Sequence, residues 1–218
     1  MFQPVSLVME RMKGHGVESV AQVAALLALD PAAYYAEMKQ IARQVREHYR
    51  VAPRPIGIEE LGKIYRAQRI RLTFWSGKVR SLRGAYFNDE LGVDVMVMKE
   101  LSEDALAFTM AHELKHHFVD SDLKPPAERI FHQLNPVEIG ADLFAGELLY
   151  PEKDFEADLR RLQEKTRACP VGVLLLLKER TRTTLPYRVF RERAVSMGFA
   201  SAGEFRTSSW RRLENANW

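Results

Sequence analysis

The stretch Glu103-Asp-Ala-Leu-Ala-Phe-Thr-Met-Ala-His-Glu-Leu-Lys-His-His-Phe-Val119 decides how this chain is read. It holds neither proline nor glycine, and its apolar residues Leu106, Met110 and Leu114 recur every four positions, the spacing of a buried helical stripe. On such a helix His112 and His116 share a face. Their Cβ atoms lie about 5–6 Å apart, so both imidazoles can reach one metal ion at about 2.0–2.1 Å. The pattern is H-E-x-x-H, and Glu113 can reach a water on that ion without ligating the ion itself. His117 lies about 100° round the helix from His116 and points elsewhere, as a packed or surface histidine.

Moving outward, the next segment with chemistry is Asn135-Pro-Val-Glu-Ile-Gly-Ala-Asp142, which opens with an asparagine cap and a proline at the first helical position. Glu138 and Asp142 are again one turn apart. Glu138 can supply a third ligand, and Asp142 can accept the outer N–H of a ligand imidazole and so set its tautomer. Gly140, Ala141, Ala145 and Gly146 are small enough to let this helix come close to the first. Three protein ligands leave a coordination position open, which is the mark of a catalytic zinc rather than a structural one. His132 reads as a loop residue, and Tyr150 as a core tyrosine rather than a donor to an oxyanion.

Upstream the period changes. Ile70, Leu72 and Phe74 alternate, residues 82–87 are short and aromatic, and residues 93–98 are rich in valine. With turns at Gly77 and at 88–92, three strands in an antiparallel meander are expected. Before them come helices at 20–29 (capped by Ser19), from Pro31 towards Arg50 (behind an Asp30 cap) and at 58–69, with a proline-rich linker at 51–55. After the second motif, helices are expected at 151–165, 171–178 and 187–197.

The set resembles the ImmA/IrrE family of metallopeptidases. The resemblance rests on Phe108-Thr-Met-Ala-His-Glu-Leu-Lys-His116 and on Glu138-Ile-Gly-Ala-Asp-Leu-Phe-Ala-Gly-Glu-Leu-Leu-Tyr-Pro151, and covers residues from about 41 to about 164. It implies a zincin-like fold, His112, His116 and Glu138 as ligands of zinc or of manganese in its place, and Glu113 as general base. It also implies a helix-turn-helix repressor as the protein substrate, cut in a stress or mobile-element response. Lys115 stands where the family commonly has a small residue, and Tyr150 where it commonly has methionine before the proline. Both differences bear on the shape of the cleft, and neither removes a ligand.

Composition bounds the rest. With 46% hydrophobic and 28% charged residues in 218, the chain can bury one ordinary core. One cysteine, Cys169, leaves no internal disulfide and no thiolate cluster, so a reducing, cytoplasmic setting is expected. The longest apolar runs fall far short of a membrane span. Nine Lys and Arg against four Glu in residues 176–218 make a basic tail that could meet nucleic acid, although a solvated face is the plainer reading. The expected class is α+β, a mostly helical zincin-like domain at 38–165 with a small three-stranded antiparallel sheet. A helical extension at 1–37 precedes it and a helical, basic tail at 166–218 follows. The rival reading is a DNA- or repressor-binding regulator whose metal is structural or sensory.

Overall fold

The computed structural model of the chain describes residues 30–51, 55–76, 83–121, 136–166 and 168–205. The expected helix at 20–29, most of the linker at 51–55, Gly77, His132, the Asn135 cap and residues 206–218 of the basic tail lie outside the described residues. Helix α1, Pro31–His48, starts as its sequence dictates: Asp30 accepts from the Ala33 amide at 3.0 Å, and Pro31 occupies the first turn. Its buried residues Tyr34, Met38, Ile41, Ala42 and Val45 follow the helical repeat. Helix α2, Ile58–Ala67, opens where the Gly57 amide donates to Glu60 at 3.0 Å, and buries Leu61, Ile64 and Tyr65.

Strands β1 (Arg71–Trp75), β2 (Gly84–Asp89) and β3 (Gly92–Met98) form the expected three-stranded sheet, but its order is β1-β3-β2. Strand β2 pairs antiparallel with β3, while β1 runs parallel to β3, so the sheet is mixed and the antiparallel meander is corrected. The reason lies in the connections. Only Glu90 and Leu91 join β2 to β3, with Gly92 at φ 111° closing the turn, whereas residues 76–83 separate β1 from β2. A two-residue loop makes a hairpin; the longer connection lets the chain step across the width of one strand. Strand β3 thereby takes the centre, where Val95 and Val97 are completely buried.

Helix α3, Glu103–Val119, starts at Ser102, whose hydroxyl accepts from the Ala105 amide. It runs through the middle of the molecule, with strands β2 and β3 on one side and helix α4, Pro136–Leu149, on another. That is why Ala107, Met110, Ala111, Leu114 and Phe118 are all buried. Helix α4 also packs along α1. Its carboxyl end stops inside the protein at Pro151, and its last carbonyls still find donors. Arg46 reaches Leu148 O at 2.5 Å, the Ile56 amide reaches Leu149 O at 2.8 Å, and Arg193 reaches Tyr150 O at 2.5 Å. Helices α5 (Glu152–Lys165), α6 (Pro170–Thr181) and α7 (Tyr187–Ser196) follow, then a short 3₁₀ turn at Ala202–Phe205. Their Phe155, Leu174, Phe190 and Phe205 belong to the same apolar cluster as Tyr34 and Val95. No described helix is long and apolar enough to cross a membrane.

Candidate metal centre

Two helix ends create the site. Helix α3 carries His112 two turns from its end and His116 in its last turn, where the helix dipole is negative and favours cations, and the first turn of α4 presents Glu138 where the dipole favours anions. His112 Nε2 and His116 Nε2 are 3.3 Å apart; Glu138 Oε2 is 3.1 Å from the first, and Glu138 Oε1 is 3.7 Å from the second. A tetrahedral ion with ligands at 2.0–2.1 Å has ligand–ligand edges of about 3.3 Å, so these donors already stand at the separations such an ion requires. All three potential ligand atoms lie within 4.8 Å of one another, and the cluster could hold a metal ion.

Both imidazoles turn Nε2 inward and give Nδ1 to a carboxylate. Asp142 Oδ1 lies 3.0 Å from His112 Nδ1, the pairing expected from the spacing of Glu138 and Asp142. Asp120 Oδ2 lies 2.7 Å from His116 Nδ1, a second such pairing that the sequence reading missed. An ionised carboxylate only accepts, so each histidine carries a proton on Nδ1. Burial works against charge on His112, yet its bonds to Asp142 and Glu138 and the nearby Glu113 outweigh it and raise the pKa to about 10. A proton would therefore compete with any metal ion for His112 Nε2. For Glu138 too, burial is outweighed, by the His112 bond and the charges of His112, His116 and Lys115, which hold its carboxyl below the usual range.

Glu113 is 5% exposed, and burial raises its pKa against the pull of the two histidines. It sits under β2, where the backbone comes so close that a Cβ on Gly84 would stand 2.6 Å from Glu113 Oε1 and 2.4 Å from Thr109 Cγ2. Any larger residue there would displace Thr109 or Glu113.

Two glycines serve other contacts than the spacing implied. Gly140 does not serve the approach of α4 to α3; it makes room for Tyr34 of α1, whose ring a Cβ would meet at 2.6 Å. Gly146 faces Arg193 of α7, 3.2 Å from where its Cβ would be. His117 does turn away from the cluster and is buried: Tyr86 donates to Nδ1 at 3.2 Å and Nε2 donates to Gln68 at 3.1 Å. Tyr150 is fully buried and donates to Asp158 at 2.6 Å. Besides Asp120, the sequence reading passed over Arg188 of α7, 2.9 Å from Asp142 Oδ2, and it took Lys115 only as a departure bearing on the cleft, whereas Lys115 is completely buried and 2.6 Å from Asp120 Oδ2. The i, i+4 step from His116 to Asp120 was a usable signal; nothing local announced Arg188.

The family model described as the IrrE N-terminal-like domain, a peptidase family, matches residues 66–194, from the end of α2 through most of α7. No curated protein matches the chain significantly.

Proposed function

Because this chain belongs to the peptidase family of the IrrE N-terminal-like domain, we propose that it is a zinc-dependent endopeptidase that holds its ion with His112, His116 and Glu138 and uses Glu113 as general base. The observation that carries this is the convergence of three donor atoms within 4.8 Å beside a buried carboxylate. When bound, the ion supplies a Lewis acid and lowers the pKa of a water to about 7. Asp142 and Asp120 hold the Nδ1–H of His112 and His116, so both Nε2 lone pairs face inward. Glu113, with its pKa raised towards working pH, takes the proton of the attacking water and returns it to the leaving amine.

The substrate is an extended peptide segment. Strand β2 is an edge of the sheet, and Gly84 at its start stands against Glu113; main-chain pairing along that edge would bring a scissile bond past the base. The proposed target is a helix-turn-helix repressor cut at one site, as the resemblance implies, in a stress or mobile-element response. The test is metal per chain in the wild type and in Glu138→Ala, with repressor cleavage followed by mass. About one zinc, lost in the variant, and a single cut would support the reading. A wild type without metal, or a variant that keeps it, would overturn the ligand set.

A further inference from the structure

Each ligand histidine is backed by a carboxylate, and each of those carboxylates is backed by a cation. On one side the order is His116 Nδ1, Asp120 Oδ2 at 2.7 Å, and Lys115 Nζ at 2.6 Å from that same oxygen. On the other it is His112 Nδ1, Asp142 Oδ1 at 3.0 Å, and Arg188 Nη2 at 2.9 Å from Asp142 Oδ2. We infer that Arg188 and Lys115 are positioning residues of the metal centre, acting through Asp142 and Asp120 to hold the two imidazoles in ligating orientation. This rests on the three-ligand site proposed above.

Geometry carries the inference. The Asp142 side chain is 36% exposed and, left alone, could rotate into solvent. Arg188 prevents that because it is itself pinned. Its guanidinium lies 5.7 Å from the centre of the Phe108 ring, one turn before His112 on α3, and its Nη1 is 3.4 Å from Glu192 on its own helix. One arginine thus ties α7, α4 and α3 together behind His112. Lys115 does the corresponding work from inside α3. Its ammonium donates to Asp120 and, at 3.2 Å, to the carbonyl of Val137, the residue before Glu138, so it joins the support of one ligand to the backbone that carries another. Removing an outer partner of a metal ligand typically weakens metal binding 10–100-fold. A cation one bond further out should act only through its carboxylate.

The experiment is zinc affinity of the full chain by competition with a chromogenic chelator. Asp142→Asn should weaken binding about 10–100-fold. Arg188→Ala should weaken it about tenfold, Arg188→Lys should recover most of that loss, and the double variant Arg188→Ala with Asp142→Asn should bind no more weakly than Asp142→Asn alone. Wild-type affinity in Arg188→Ala, an increase, or an equal loss in the Asp142→Asn background would overturn the inference while leaving the ligand set standing. A wild type that binds no zinc would overturn both. Lys115→Met in wild-type and Asp120→Asn backgrounds repeats the cycle on the inner side; should Lys115→Met fail to fold, Lys115→Arg and the half-exposed Arg188 keep the test decisive.

Discussion

The two sides of the candidate metal centre do the same chemistry with different materials. On the His116 side the charged groups all come from one helix and its cap: Lys115, His116 and Asp120 lie within six residues, Lys115 is 0% exposed and Asp120 7%. On the His112 side the group spans three helices, its own and those of Asp142 and Arg188, and both Asp142 and Arg188 are partly open to solvent, at 36% and 47%. A buried charge pair is costly to break, because either partner left alone is an unpaired charge without water; an open pair contributes little to stability. The inner side should therefore be a structural element as much as a positioning one. The outer side should be where function can be changed while the fold stands.

Breaking what both sides serve should have the largest effect. Glu113→Gln should lower peptide turnover by about 10³-fold or more, within the range for loss of a general base, while zinc content stays at the wild-type level. Loss of zinc in that variant would make Glu113 a ligand and end the symmetry between the two histidines. Next comes the inner pair: Lys115→Met leaves Asp120 buried without its cation and should cost about 3–5 kcal/mol in chemical denaturation. A cost under about 1 kcal/mol would show that the inner pair is no more structural than the outer one.

The neighbouring His117 sharpens the contrast by pH. Burial pushes its pKa down to about 4, and an unfolded histidine titrates near 6.5. Between those values the unfolded chain binds the extra proton and the folded chain does not, so stability from this group is complete above about pH 6.5 and falls as pH drops to about 4. His117→Gln should flatten the stability profile of metal-free protein in that window by about 3 kcal/mol. An unchanged slope would mean that His117 takes up its proton without unfolding. The smallest effect belongs to the outer pair: Arg188→Ala should shift folding stability by less than about 1 kcal/mol. A shift as large as that of Lys115→Met would erase the distinction between the two sides.

Much of this was legible because it is local. Helix α3 was read to its observed ends, since Ser102 caps it and no breaker interrupts it. The pairs His112/His116 and Glu138/Asp142 follow from one helical turn, and Asp120 would have followed from the same step after His116. The sheet was read as three strands yet with the wrong partner for β1, because alternation reports which face is buried and is silent about which edge is paired. Small residues were equally ambiguous: Gly140 marks a close approach, but that approach is Tyr34's.

The amino-acid order alone determined the described helices, the Asp30 cap, the hairpin turn at Glu90 and Leu91, and the spacing of the three candidate donors on two helices, because each depends on residues within a turn or two of one another. Only the tertiary structure decided that β3 lies between β1 and β2, that Gly84 closes over Glu113, and that Arg188 reaches Asp142 from 46 positions away. Those choices are settled by which distant surfaces bury each other best, and no local period carries that information.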